Sequence, residues 1–447
     1  MKDLTRGPIG GHLLAMAAPM AVGMLVQTLY LMVDLYFVAR LGGPSLAGVS
    51  AAANFSFAVL GLTQMLGVGT VALIAHAVGA RDRNAANLVF NQSLLLAALC
   101  GALTLVGGYV LAAPYMRSLG ADAAVIAAGT TYLYWFVPGL ALQFAMIAMG
   151  SALRGTGIVK PTMFAQLATV LVNILLAPIL IAGIGTGHAL GVAGAGLAST
   201  LAVAVGTVLL SIYYTRLEKY VGFHPDLWRP RLHTWRQILN IGLPAGGEFA
   251  LMFVYTAVIY AVTRDFGSAA QAGVGIGQRV MQMFFLPALA LGFSIAPVAG
   301  QNFGAKDAAR VRETFRVGAT FGALTMAMVT ALCQWRGSLL IGAFTSDPTA
   351  LAVGTGFLAT ISWNFVCSGF VFACSGMFQA LGNTWPAIGS SCTRLLTFVL
   401  PVLWLSRQPG FRIEQIWLLF VAAVALQAAV SYALLRRELA LRLRFAS

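Results

Sequence analysis

Long apolar runs recur along the whole chain and limit what it can fold into. Each run covers about 20 residues or more, the length that a helix needs to cross a hydrocarbon core of about 30 Å. Short polar segments separate the runs, and only 9% of the 447 residues are charged. A β-barrel would show shorter segments in which polar and apolar residues alternate. The pattern therefore predicts an all-α integral membrane protein.

The runs predict twelve transmembrane helices, six in each half of the chain. In the first half we expect helices near residues 12–39, 46–78, 86–112, 122–152, 160–183 and 189–216. In the second half we expect them near residues 236–262, 269–302, 309–335, 349–379, 384–405 and 411–435.

The two halves repeat each other at a constant offset of 225 residues. At this offset Pro19 aligns with Pro244, and residues 79–82 align with residues 304–307. Because each half holds an even number of spans, the second half enters the membrane from the same side as the first. We therefore expect two parallel six-helix repeats, related by an axis along the membrane normal, around a central cleft.

Composition shifts place the boundaries between these repeats. A segment rich in proline and basic residues is the only long polar interruption of the sequence. We expect an N-terminal lobe over residues 1–217, a cytoplasmic linker over residues 218–235 and a C-terminal lobe over residues 236–447.

The basic residues orient the chain in the membrane. Nineteen Lys and Arg residues fall in segments on the predicted side of the N-terminus and six on the opposite side. The positive-inside rule then predicts that both termini are cytoplasmic in a multi-pass protein of the inner (cytoplasmic) membrane. The net charge of +14 is explained by orientation and by contact with lipid headgroups. We expect no nucleic-acid partner, and a monomer.

The sequence offers little for catalysis or for a resident cofactor. The five cysteines lie inside predicted helices without metal-ligand spacing, and the five histidines are scattered. No Gly-Lys-Ser/Thr phosphate-binding loop is present. We therefore expect no enzyme, no metal centre and no cofactor, and transport that is driven by an ion gradient or is passive.

Only two acidic residues, Asp34 and Glu248, lie well inside predicted helices, where charges are costly and mark ion or substrate pathways. Glu248 shares its depth with Arg279 and Arg394. An arginine partner would keep its carboxylate ionised. A structural ion pair and a role in cation recognition or coupling are both open for Glu248.

Asp34 has no basic residue at similar depth in its lobe. Asn173 on the fifth helix, with Ser199 or Thr200 on the sixth, can complete an oxygen-rich pocket around it. A buried carboxyl without a basic partner takes up a proton near neutral pH, and the same oxygens suit Na⁺. We predict ion coupling by H⁺ or Na⁺ at these residues, with a merely hydrogen-bonded structural acid as the alternative.

Other polar and aromatic residues inside the spans predict a substrate cleft. Such a lining suits bulky, partly apolar and often cationic small molecules. The predicted cleft residues are Gln27, Tyr30, Asn54, Gln64, Tyr132, Gln143, Glu248, Tyr255, Gln278, Arg279, Gln282 and Asn364.

Several short motifs, spread over nearly the whole chain, resemble the multidrug and toxic compound extrusion transporters. They are Val33-Asp34 with residues 37–42, residues 79–82, residues 153–157 with Pro161, residues 194–196, residues 242–244 and residues 297–305. The resemblance implies a twelve-helix, two-lobe antiporter. Such an antiporter expels organic cations or other amphipathic drugs in exchange for H⁺ or Na⁺.

The resemblance also implies roles for single residues. Asp34 matches the family's coupling aspartate, Asn173 its fifth-helix asparagine and Ser199 approximately its sixth-helix hydroxyl. Pro19 stands where the family's first helix is thought to bend. The similar proton-coupled branch often has a second aspartate where this chain has Ala177, which leaves Asp34 alone or favours a different cation.

Three other functions remain to be weighed. A lipid-linked saccharide flippase of similar fold would present more cationic residues along its cavity than Arg279 and Arg394. A major-facilitator carrier would have a further glycine and a basic pair after residues 79–83. A membrane enzyme would need a convergent catalytic set near one interface, which the scattered histidines do not supply.

Overall fold

The structure is a computed structural model that describes the backbone of residues 1–119, 122–185 and 187–445. Side chains are described for the same residues except 29–35, 253 and 265. The regular secondary structure of these residues is helical, and they contain no strand. Twelve of its helical segments are long and apolar enough to cross a membrane, which confirms the predicted all-α membrane fold.

The first half contains six helices. They are α1 (Ile9–Ala39), α2 (Gly43–Gly79), α3 (Arg83–Ser118), α4 (Ala123–Gly155), α5 (Lys160–Ala182) and α6 (Val192–Arg216). The second half contains α7 (Leu232–Thr263), α8 (Ser268–Gly304), α9 (Ala308–Gly342), α10 (Pro348–Ile361), α11 (Phe365–Ala380), α12 (Trp385–Leu405) and α13 (Ile413–Arg442).

The tenth span is the main departure from the predicted helices. A single helix was expected over residues 349–379, but a 3₁₀ turn over Ser362–Asn364 separates α10 from α11. Side chains of α9 bind carbonyls at this break: Thr330 Oγ1 donates to Ser362 O at 2.8 Å, and Gln334 Nε2 donates to the carbonyl of Ala359 at 2.6 Å. Partners from a neighbouring helix thus bind backbone groups where the regular helix is interrupted.

The internal repeat is visible in the backbone of the turns after α2 and α8. Arg81 and Lys306, 225 positions apart, are both left-handed, with φ of 58° and 61°. The next residue caps the following helix in both halves. Asp82 accepts a hydrogen bond from the backbone N–H of residue 85 at 2.9 Å, and Asp307 accepts one from that of residue 310 at 3.0 Å. The two halves therefore repeat the same turn and cap.

The described residues form two compact units. One comprises Met1–Asp3 and Val22–Gly242, and the other comprises Leu4–Ala21 and Leu243–Ser447. The first part of α1 thus packs with the second unit, and the first part of α7 packs with the first. The predicted lobes describe the sequence repeat, whereas these units describe packing, so the lobe boundaries stay a prediction.

Each unit has its own apolar core. In the first unit Phe90 stacks on Tyr214 with ring centroids 4.6 Å apart. In the second unit Phe357 meets Trp417 edge to face at 4.9 Å. All four side chains are buried or nearly so, and aromatic pairs of this kind stabilise helix packing beyond the area they bury.

Three buried amide side chains of α3, those of Asn87, Asn91 and Gln92, hold the connection between α6 and α7. Each donates to and accepts from the backbone of this connection over 2.6–3.1 Å. Asn91 also accepts from the indole N–H of Trp228 at 2.9 Å. The predicted linker is therefore fixed to the first unit by side-chain hydrogen bonds.

Candidate ion and substrate sites

Two glycines bring α6 close to its neighbours in the first unit. A Cβ added at Gly194 would lie 2.3 Å from the carbonyl oxygen of Leu180 on α5, and one at Gly196 would lie 2.6 Å from that of Tyr132 on α4. Only a residue without a side chain permits such approaches. The helix that carries Ser199 is thereby set tightly against α4 and α5.

Asn173 on α5 and Ser199 on α6 meet in this packed region. The Nδ2 of Asn173 donates to the Oγ of Ser199 over 3.3 Å. Both side chains are almost completely buried, and the Oδ1 of Asn173 has no hydrogen-bond partner among the described residues. The structure thus brings together two of the predicted coupling residues and leaves a buried acceptor beside them.

Thr200, the other predicted hydroxyl, contacts a different helix. Its Oγ1 donates to the carbonyl of Trp135 at 2.6 Å and accepts from the N–H of Gly139 at 3.1 Å. Both partners belong to α4. The sequence left Ser199 and Thr200 open as alternatives, and in the structure Ser199 is the one joined to Asn173.

The side chains of Asp34 and Tyr30 lie outside the described residues, so the predicted positions of both stay untested. The neighbouring chain is described: Val38 of α1 is buried in one cluster with Ala177 of α5 and Ala195 of α6. Each of these three residues lies one helical turn from a predicted coupling residue: Val38 from Asp34, Ala177 from Asn173 and Ala195 from Ser199. The backbones of these three helices therefore converge one turn away from those residues.

Glu248 of α7 lies in a polar network inside the second unit. Its Oε1 accepts from Ser391 Oγ of α12 at 3.1 Å, and its Oε2 accepts from Ser375 Oγ of α11 at 3.2 Å. The amide of Gln427 on α13 donates to Ser391 Oγ at 3.2 Å. Hydroxyl donors from two other helices therefore satisfy both oxygens of the carboxylate.

Neither Arg279 nor Arg394 forms an ion pair with Glu248 within 4.0 Å among the described residues. The guanidinium carbon of Arg394 instead lies 4.0 Å from the ring centroid of Tyr255 and 5.8 Å from that of Phe420. Arg279 is exposed on α8. The contacts shown around Glu248 are thus serine hydrogen bonds, with a cation–π contact of Arg394 beside them, and the role of Glu248 stays a prediction.

Tyr255 connects the arginine to the same network. Its hydroxyl donates to the backbone carbonyl of Ser391 at 2.6 Å, and the side chain is buried. The ring is therefore fixed by its hydroxyl at one point while one face receives Arg394. A predicted cleft residue, Tyr255, thus belongs to the site around Glu248.

The other predicted cleft residues have different surroundings. Asn364 sits at the end of the 3₁₀ turn, where it accepts from Ser368 at 3.3 Å. Its Nδ2 is buried, and none of the described residues accepts a hydrogen bond from it. Tyr132 is buried and packs on Phe136 with ring centroids 5.2 Å apart.

The amide side chains of the predicted cleft differ in exposure. Those of Gln27, Asn54 and Gln282 are exposed, and those of Gln64, Gln143 and Gln278 are partly buried. Pro19 lies within the helix α1, which continues through it.

A family model decides what kind of protein carries these sites. The model described as MatE matches residues 19–179 and, a second time, residues 244–405. The chain belongs to the MatE family. The two matches begin 225 residues apart, at the offset found within the sequence, and the resemblance to multidrug and toxic compound extrusion transporters is confirmed.

Curated relatives of this MatE transporter resemble it over most of their length. It is 26% identical over 363 residues to the multidrug export protein MepA of Staphylococcus saprophyticus, covering 80% of this chain and 78% of that one. It is 25% identical over 411 residues to a protein of Shewanella oneidensis named FAD transporter, covering 90% of each.

A solved structure shares the fold of the MatE chain. A multidrug resistance MATE family transporter of the MOP superfamily, in an outward-facing conformation, superposes with a TM-score of 0.91 over 99% of this chain and 98% of that one. The sequences are 24% identical, so this likeness concerns the fold alone.

Three residues of the Glu248 network were not predicted from the sequence. Ser375, Ser391 and Gln427 lie on three different helices and are ordinary polar residues within apolar runs. The depth argument that paired Glu248 with Arg394 does not point to Ser375, which lies close to the end of its expected helix, residues 349–379. It gives depth but no helix rotation, so it does not distinguish a serine partner from an arginine partner.

Proposed function

We propose that this MatE protein is a secondary active efflux antiporter. It exports organic cations or other amphipathic drugs in exchange for H⁺ or Na⁺ by alternating access. The observation that carries the proposal is the family match in both halves of the chain, together with the name multidrug export protein of relatives of similar extent. None of the proteins compared above bears the name of a saccharide flippase, the alternative raised by the sequence.

The coupling ion in this proposal acts at Asp34, Asn173 and Ser199. Support comes from the buried hydrogen bond between Asn173 and Ser199 and from the Oδ1 acceptor of Asn173, to which no described residue donates. An unused acceptor in an apolar core is costly unless a donor or a cation reaches it during the working cycle. A protonated carboxyl would supply a donor and Na⁺ would supply a cation, so the same geometry suits either ion.

The substrate class is proposed from the polar and aromatic lining predicted from the sequence. Gln27, Asn54 and Gln282 are exposed side chains within apolar spans, where they can meet a solute. The orientation with both termini in the cytoplasm follows from the distribution of basic residues. The protein is expected to act in the inner membrane as a monomer.

Reconstitution into liposomes tests this function. A fluorescent organic cation, the ethyl ester of rhodamine B, is loaded into proteoliposomes, and H⁺ and Na⁺ gradients are imposed in separate experiments. The proposal predicts that one of the two ion gradients accelerates dye release and that a protonophore or Na⁺ ionophore, respectively, abolishes this acceleration. A rate of dye movement that changes with neither the H⁺ nor the Na⁺ gradient would contradict antiport and indicate a passive pathway.

A further inference from the structure

Arg394 lies near Glu248 in the second unit but, among the described residues, forms no ion pair with it within 4.0 Å. Its guanidinium is stacked on Tyr255, and its Nε is buried and has no hydrogen-bond partner in the part of the chain that the structure describes. No ion pair to it is formed within 4.0 Å by the acidic side chains that the structure describes. The residue as a whole is only partly buried.

The surrounding contacts hold Arg394 in this state. Glu248 has each carboxylate oxygen bound by a serine hydroxyl, and Tyr255 is fixed through its hydroxyl to the carbonyl of Ser391. A ring held in this way is a rigid platform for one face of the guanidinium. Phe420, at 5.8 Å, adds a second aromatic neighbour.

The chemistry of this arrangement points to a negatively charged ligand group. A guanidinium presents its N–H donors in a planar fork that matches the two oxygens of a carboxylate or phosphate. Stacking on an aromatic face leaves the edge of the fork, where these donors lie, available for hydrogen bonds. A guanidinium without a close counter-ion in an apolar span has a high desolvation free energy, and a hydrogen-bonded anionic group lowers it.

We propose that Arg394, supported by Tyr255 and Phe420, binds the carboxylate or phosphate group of an amphipathic solute in the second unit. This rests on the proposed export function and extends it, because the transported molecules then include solutes that carry an anionic group beside or in place of a cationic one. Glu248, in the same network, limits the excess of positive charge and disfavours small inorganic anions.

Two dyes that differ at one group test this assignment. Rhodamine B carries a carboxylate that its ethyl ester lacks, and the remainder of the two molecules is the same. Dissociation constants of both dyes are measured by fluorescence anisotropy with the full chain in lipid nanodiscs. We expect the substitution Arg394→Gln to weaken rhodamine B binding by about tenfold or more, since a charged hydrogen-bonded pair is lost, and to change binding of the ester by less than about threefold.

Two further variants separate recognition from a structural role. Arg394→Lys keeps the charge but loses the planar fork and should show a smaller loss for rhodamine B than Arg394→Gln. Arg336→Gln is the matched control, since Arg336 is another arginine stacked on an aromatic ring of the second unit, at 4.4 Å from Trp335. It should leave the ratio of the two dissociation constants unchanged.

Equal weakening of both dyes by Arg394→Gln, unchanged rhodamine B binding, or no rhodamine B binding to the wild-type chain would each overturn the assignment. The proposed function fails by a different result, namely the absence of gradient-driven movement of the ester in liposomes. A dye-selective effect of Arg394→Gln on binding would stand even then.

Discussion

Asn173 and Ser199, 26 positions apart on α5 and α6, share a hydrogen bond of 3.3 Å in the core of the first unit. Close packing at Gly194 and Gly196 places the two helices so that this bond forms. Burying this polar pair among apolar side chains costs desolvation free energy, which their mutual hydrogen bond partly offsets. Val38, Ala177 and Ala195 pack together one turn away. We propose that the coupling ion acts in this region.

Replacing Asn173 by leucine tests this assignment at a residue whose geometry is described. Asn173→Leu keeps approximately the same volume but removes the free Oδ1 acceptor and the donor to Ser199. We expect gradient-driven dye efflux to fall by about tenfold or more, with the melting temperature changed by only a few degrees because an apolar group replaces a costly polar one. Efflux equal to that of the wild type would remove Asn173 from the coupling site.

Thr200 and Ser199 are adjacent and should respond differently to loss of the hydroxyl. Thr200→Val removes the hydroxyl that bridges the N–H of Gly139 and the carbonyl of Trp135, at a cost of about 1 kcal/mol, since these two groups lie four residues apart in α4 and can bond to each other. Ser199→Ala removes a bond between side chains. We expect Thr200→Val to lower the melting temperature more, and Ser199→Ala to reduce gradient-driven efflux more. The opposite order in both assays would mean that Thr200 is the coupling hydroxyl.

Gly242 allows α7 to approach the backbone of α2 in the first unit. A Cβ at this position would lie 1.8 Å from the carbonyl oxygen of Met65, and a backbone atom cannot yield as a side chain can. Gly242→Ala should therefore abolish the monodisperse peak in size-exclusion chromatography. Gly107→Ala is the control, because nothing lies within 4 Å of its added Cβ, and it should be neutral or stabilise by up to about 1 kcal/mol. Similar profiles for the two variants would refute this account of the packing.

Asn91 should protect the connection between α6 and α7 from proteolysis. Its amide binds Gly222, the N–H of His224 and the indole of Trp228. In inside-out membrane vesicles, we expect Asn91→Leu to accelerate tryptic cleavage in the 217–231 segment severalfold. Without these hydrogen bonds, less free energy is needed for the segment to open locally and reach the protease. Cleavage after Lys306, in the exposed turn after α8, provides the internal control. Unchanged protection would show that the other contacts suffice.

Hydropathy and repetition predicted the framework of the fold. Bilayer thickness sets the length of an apolar run, so twelve spans can be predicted from a single sequence. The repeat aligned Arg81 with Lys306, and these residues adopt the same backbone conformation. The break at Ser362–Asn364 was not predicted, because it depends on Thr330 and Gln334 of a neighbouring helix.

The sequence predicted how deep the candidate site residues lie in the membrane, but not which side chains they contact. Depth placed Glu248 level with Arg394, whereas its hydrogen bonds go to Ser375 and Ser391. Helix rotation and tilt choose between such partners, and these are set by packing against neighbouring helices rather than by the hydropathy of the run. For the same reason the sequence left Ser199 and Thr200 as alternatives, and their contacts distinguish them.

The most direct test of the account is gradient-driven efflux by Asp34→Asn in proteoliposomes, measured beside Glu248→Gln with the rhodamine ester. If ion coupling occurs around Asp34 in the first unit, Asp34→Asn abolishes the response to the coupling gradient while the protein remains folded and monodisperse. Glu248→Gln should retain a response to the gradient, with altered dye affinity. Undiminished gradient-driven efflux by Asp34→Asn, or its complete loss in Glu248→Gln alone, would contradict the account.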